Sequence, residues 1–290
     1  MLGKGFVEGY LELSHEKDSF LCVGIDPATG EMREKNRIPD QLIELMGEEK
    51  GIREFCIEII RAVSPYTPII KPNAHFLLYR LGYDAIRGIV EEIHRGRCKA
   101  LLDVKLSDIG STMDSALFWI ERLGFDAITF SPFPGYENGV DAVYNWAREM
   151  DKGIFCLTRM SNPGTHDYQS KHLEGEPFYR RIARDAAERG CNGFVVGCTA
   201  DEELGAVRDI IGEDRLILAP GLGAQGGDPG RALKLGANDI GEGIIVSSSR
   251  SIDYAYERLG WEWRRYAEAA EVTADRKRRE LNEIKEDVLR

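Results

Sequence analysis

Lys71, Asp103, Lys105 and Asp108 are the residues of this chain whose types and spacing could do chemistry. Leu102-Asp103-Val104-Lys105-Leu106-Ser107-Asp108-Ile109 ends one apolar run with a D-x-K-x-x-D pattern, and Ile69-Ile70-Lys71-Pro72-Asn73 ends another. Side chains alternate faces along a strand, so Asp103 and Lys105 are expected on one side, with Asp108 just past the strand end. Two carboxylates would then bracket one ammonium. Taken alone, the pattern serves equally well as a salt bridge that satisfies buried charge. With Lys71 next door the balance shifts, because a chain of four charges is costly to desolvate and buried ion pairs often gain nothing over apolar packing. A lysine amine is protonated near neutrality, and adjacent carboxylates favour that form. The arrangement suits delivery of a proton to a developing carbanion. A Schiff-base lysine needs the free amine, which Lys71 would encourage and the two aspartates oppose.

Such residues need a rigid frame. Eight short apolar or β-branched runs are expected as strands, at about 20–25, 67–71, 98–105, 126–131, 153–158, 193–197, 215–219 and 243–247. Between them the period changes to 3.6, as in Ile52, Phe55, Cys56, Ile59, Ile60 and Val63, or Ile86, Ile89, Val90 and Ile93. Further helices are expected near 112–123, 138–150, 177–189, 200–211, 229–236 and 252–272. Strands this uniformly apolar suit a parallel sheet buried on both faces, and eight alternating units favour a closed (β/α)8 TIM barrel over an open sheet. The whole chain, 1–290, reads as one barrel domain with a core at about 18–272, an amphipathic N-terminal helix and a solvated terminal helix from about 274 to 290. Residues 27–50 read as a long connection followed by a helix start.

Composition narrows the function classes. With 38 Lys and Arg against 49 Asp and Glu, the net charge of −11 argues against broad attraction to nucleic acid or anionic membrane. An anionic ligand therefore needs a local cationic pocket. The six cysteines, at 22, 56, 98, 156, 191 and 198, form no C-x-x-C pair and sit largely in apolar runs, and the histidines lie far apart, so neither a disulfide scaffold nor a metal site is expected. No secretory h-region or spanning segment is visible, and a cytoplasmic location is expected.

In a barrel, phosphate commonly binds at the loops after strands seven and eight. Here the seventh run enters the glycine-rich stretch Pro220 to Gly230, which reads either as a phosphate-cradling lid or as a flexible connector. The eighth enters Ser247-Ser248-Ser249-Arg250-Ser251, where a guanidinium and a helix N-terminus could hold a phosphate together. Asp26, ending the first run, could accept sugar hydroxyls or merely cap a turn before Pro27. Ser161-Asn162-Pro163-Gly164 after the fifth could read a polar ring edge or be a plain turn.

Together these stretches resemble the orotidine 5′-phosphate decarboxylase family, in its longer bacterial and archaeal form. The resemblance rests on Ile25-Asp26-Pro27, Lys71-Pro72-Asn73, the Asp103 to Ile109 run, Ser161-Asn162-Pro163-Gly164, the run from Pro220 to Asp228, and Arg250, in family order from about residue 20 to 255. It implies a cofactor-free, metal-free decarboxylase that converts orotidine 5′-phosphate to UMP in pyrimidine biosynthesis. By similarity, Lys105 protonates C6, Asp103 lies beside the substrate carboxylate, and Lys71 orients Asp103 and contacts the ribose. Asp26 and Thr112 match ribose-binding positions, and Ser161 matches the pyrimidine contact. Pro220, Gly223, Gln225, Ser249 and Arg250 match the phosphate side. A homodimer is implied, with Asp108, Ile109 and Thr112 completing the neighbouring site. One departure is Ser249, where relatives often place glycine before the arginine. Related barrels that form a magnesium-bound enediolate share D-x-K-x-x-D, but they typically place an acidic metal ligand where Lys71 stands.

Overall fold

In the computed structural model, which describes residues 3–197, 201–221 and 228–289, eight parallel strands close on themselves. They are β1 Leu21–Ile25, β2 Ile69–Pro72, β3 Lys99–Leu106, β4 Ala127–Phe130, β5 Gly153–Arg159, β6 Gly193–Val196, β7 Leu216–Pro220 and β8 Ile244–Ser248. Each pairs with its sequence neighbours, and β8 returns to β1 with Leu21 opposite Val246. All eight expected runs became strands, because each is too short and too apolar to do anything but bury both faces in a parallel sheet.

The helices lie outside. They are α1 Lys4–Glu16, α2 Asp40–Met46, α3 Glu48–Val63, α4 Ala74–Leu77, α5 Tyr83–Arg95, α6 Gly110–Leu123, α7 Asp141–Met150, α8 Phe178–Glu188, α9 Asp201–Ile211, α10 Pro229–Gly236, α11 Arg250–Asp253, α12 Ala255–Leu259 and α13 Tyr266–Leu289. α1 closes the N-terminal mouth. Its Phe6, Val7 and Tyr10 join an inner layer that includes Leu101, Phe155 and Ile245, and the Phe6 ring meets Phe155 edge-on at 6.1 Å. With that end plugged, the C-terminal mouth is left to hold polar groups.

Two expectations fail at the C-terminus. The helix expected over 252–272 is three pieces, because Gly260 ends α12 in the left-handed conformation at φ 66°. The helix expected to start near 274 begins at Tyr266 and is not wholly solvated. It packs on α3 and α10, with Ala269, Ala270, Thr273, Ala274 and Leu281 buried. Small alanines carry so little hydrophobic signal that this buried stripe is faint in the sequence. A small hairpin pairing His172–Leu173 with Glu176–Pro177 after β5 was not anticipated. The five described cysteines, Cys22, Cys56, Cys98, Cys156 and Cys191, are buried and unbridged. No helix among the described residues is long and apolar enough to cross a membrane.

Candidate active site

Asp103 is the centre of the open mouth. Lys71 Nζ donates to its Oδ2 at 2.9 Å, and Lys105 Nζ donates to its Oδ1 at 2.7 Å. Thr129, on β4, adds a third bond from Oγ1 to Oδ1 at 2.9 Å. Lys71 and Asp103 are buried, whereas 34% of the Lys105 side chain remains exposed. Burial alone would push the Lys71 ammonium down, but the charges of Asp103 and Asp26 outweigh it and hold Lys71 above the ordinary lysine range. Burial would likewise raise the Asp103 carboxyl, yet Lys71 and Lys105 hold it well below the usual carboxylate range. Asp103 is therefore an anion with both oxygens engaged, and Lys105 is its partly exposed partner.

Lys105 faces Asp103 for a reason other than simple alternation. Between Leu102 and Leu106 the pairing of β3 with β4 slips, as Leu102 lies opposite Ile128 but Leu106 opposite Phe130. Inside this bulge Lys105 adopts φ 51°, a left-handed conformation that a long side chain rarely takes. Its N–H, removed from the ladder, donates instead to Thr129 Oγ1 at 2.9 Å. One threonine thus holds both the backbone of Lys105 and the carboxylate of Asp103. Sequence reasoning missed it; its only signal was a lone hydroxyl in the apolar run Ala127-Ile128-Thr129-Phe130.

A cavity of about 210 Å³ joins this network to the strand-eight turn, with Asp26, Lys71, Asp103, Pro220, Ser249 and Arg250 in its wall. Six of the residues singled out from the sequence are thereby brought together. Gly24, on β1, lets the turn approach, since a Cβ there would lie 2.0 Å from Ser249 Oγ. Ser249 itself has an unusual backbone, φ −118° and ψ −88°, and Ser248 and Ser251 hydroxyls bond across the turn at 2.7 Å. Arg250 begins α11 and is exposed to the mouth.

Asp108 does not bracket Lys105. It is exposed and accepts the N–H of Ile109 at 2.8 Å, and among the described residues it forms no ion pair. The residues that follow the bulge, Ser107 to Ile109, are exposed. Ile109 is 58% exposed, and Thr112 is exposed as well. Ser161 lies half-buried after β5, where a Cβ on Gly197 would come within 2.7 Å of its own Cβ, and it stands outside the wall of the 210 Å³ cavity. Gly223 and Gln225 lie outside the described residues.

Comparison with known proteins decides the family. Residues 19–258 match the family model described as orotidine 5′-phosphate decarboxylase / HUMPS family. The chain belongs to this family. The orotidine 5′-phosphate decarboxylase of Azoarcus sp. is 37% identical over 247 residues, 83% of this chain and 86% of that protein. That of Cupriavidus necator is 35% identical over 257 residues, 86% of this chain and 89% of the other. The structure of Leishmania donovani OMP decarboxylase superposes with a TM-score of 0.76 at 25% identity, covering 95% of this chain and 98% of that one. In this chain's mouth the buried cation Lys71 holds one oxygen of Asp103 at 2.9 Å. Two ammonium groups on one carboxylate make a poor cradle for a divalent metal, which needs free anionic oxygens.

Proposed function

We propose that this chain decarboxylates orotidine 5′-phosphate to UMP and carbon dioxide, without metal or cofactor, and that residues 1–290 act as one barrel domain. The observation that carries the reading is the chain Lys71, Asp103, Lys105, with bonds of 2.9 and 2.7 Å at the open end of the barrel. Removing carbon dioxide from an sp² ring carbon leaves an electron pair with little delocalisation. Only fixed charges that bind that state better than the substrate lower its barrier. In this reading the C6 to carboxylate bond breaks, its electron pair stays on C6, and a proton moves from Lys105 Nζ to C6, leaving a neutral amine. Asp103, anchored by Lys71 and Thr129, aims the ammonium and lies beside the departing carboxylate.

Substrate binding in this reading draws on the cavity wall, on Ser161 outside it and on the family resemblance. Asp26 and Lys71 face the ribose, Ser161 the pyrimidine, and Pro220, Ser249 and Arg250 the phosphate, with Gly223 and Gln225 completing the grip. Phosphate binding far from C6 is then available to hold the site in its reactive arrangement. A homodimer is part of the proposal: Asp108, Ile109 and Thr112 would complete the neighbouring site, which their exposure supports. The test is loss of orotidine 5′-phosphate absorbance after exhaustive dialysis against chelator. Undiminished turnover is expected. Turnover that disappears and returns with magnesium would favour enediolate chemistry instead, and a bound UMP with no turnover would mark a binding protein.

A further inference from the structure

Directly behind the cavity, three of the buried side-chain atoms that lack a hydrogen-bond partner among the described residues belong to one neighbourhood: Asp26 Oδ1, Arg33 Nη1 and Asp253 Oδ1. Asp253 ends α11, the short helix that Arg250 begins, and is fully buried. Its Oδ2 accepts the Asp26 N–H at 3.1 Å, just where β1 ends. The next residue, Tyr254, donates its hydroxyl to Asp26 O at 2.5 Å and accepts the Ala28 N–H at 2.9 Å. We propose that Asp253 is a positioning residue that ties the end of β1, and with it Asp26, to the helical turn that starts at Arg250. The proposal rests on the reading of Asp26 and Arg250 as ribose and phosphate contacts.

The groups around Asp253 explain how a carboxyl can do this so far from water. Asp26 faces it from β1, Arg33 from the connection after β1, Lys71 from β2, Cys56 from α3 and Tyr254 from its own segment. Burial, and then the charge of Asp26, push its carboxyl well above the usual range, against the smaller pull of the Asp26 N–H, Lys71 and Arg33. The fold thus favours the neutral acid at Asp253. In that form it accepts the Asp26 N–H through Oδ2 and avoids an unpaired buried charge beside Asp26. Asparagine offers the same acceptor and a donor; leucine offers neither.

The experiment is steady-state kinetics on Asp253→Leu, Asp253→Asn and both in an Asp26→Ala background. Asp253→Leu is expected to raise KM for orotidine 5′-phosphate about ten-fold while kcat falls less than about three-fold, and Asp253→Asn to keep KM within about three-fold of wild type. In the Asp26→Ala background Asp253→Leu should raise KM by less than about two-fold, because its effect travels through Asp26. A wild-type KM in Asp253→Leu, an equal rise in both backgrounds, or an Asn variant as impaired as Leu would overturn the proposal. If Asp253→Leu does not fold, thermal unfolding of Asp253→Asn decides. A neutral Asp253 keeps in the folded state a proton that the unfolded chain releases above about pH 4, so wild-type stability should fall relative to Asp253→Asn as pH rises to neutrality. A gap in melting temperature that fails to widen sinks the neutral acid. Wild-type protein with no turnover would instead sink the functional reading and leave this melting comparison standing.

Discussion

At the scale of single residues, the mouth of the barrel is held by charge opposing burial. Asp103 would gain a proton on desolvation were it not for Lys71 and Lys105, which outweigh that effect. Its folded-state affinity for protons is therefore below the unfolded value, so the stabilisation is fully present above about pH 4 and is lost as pH falls further. Lys71→Met should remove the larger of the two charge partners and leave a buried carboxylate with one. A loss of about 3 kcal/mol in chemical denaturation at neutral pH is expected, shrinking on acidification as Asp103 takes up its proton. A variant as stable as wild type would show that the pair is not desolvated as its burial suggests. Lys105→Ala belongs to a different class, since its side chain is partly open to solvent and lies outside the apolar core. It should lose about 10³-fold or more in kcat while melting near the wild-type temperature. Normal decarboxylation by this variant would remove Lys105 from its role as proton donor.

At the scale of elements, the bulge in β3 and the close approach of β1 to the strand-eight turn set the geometry. Thr129→Val keeps the shape of the side chain but deprives the Lys105 N–H of its acceptor and Asp103 of a donor. We expect a destabilisation of about 1–3 kcal/mol together with a lower kcat, read by denaturation and by the absorbance assay; a silent variant would show that the bulge holds without it. Gly24→Ala would drive Ser249 from its position and should raise KM for the phosphorylated substrate more than it lowers kcat. An unchanged KM would place the phosphate elsewhere. The bulge also marks a limit of legibility. The sequence-based reading put Asp103 and Lys105 on one side by alternation, and the side was right. The cause was not: a slip in pairing and a left-handed lysine do that work, and neither is written in a local pattern of residue types.

At the scale of the whole molecule, the exposed stretch after β3 is where the proposed shared site can be tested. Asp108, Ile109 and Thr112 are exposed, and farther along α6 Phe118 and Trp119 are each about half exposed, at 51% and 53%. Apolar side chains of that size grouped on one helix mark an interaction surface. Trp119→Glu should shift a dimer to monomer in analytical ultracentrifugation and lower kcat at dilute protein, although Trp119 lies outside the cavity wall. A monomeric, fully active wild-type enzyme would end the shared-site reading.

Much of this protein was determined by its sequence alone. Eight apolar runs separated by amphipathic helices leave a closed parallel barrel as the way to bury both faces of every strand, and residues at strand ends then fall at one mouth. Lys71, Asp103 and Lys105 were legible for that reason, as were Asp26, Ser249 and Arg250, which share a cavity wall with Lys71 and Asp103. What only the tertiary structure decided depends on contacts between residues distant in the chain: Thr129 against Lys105, Asp253 against Asp26, and Gly24 against Ser249. Periodicity reports which face of an element is apolar. It carries no record of which polar atom, a strand or a helix away, completes a hydrogen bond once the barrel has closed.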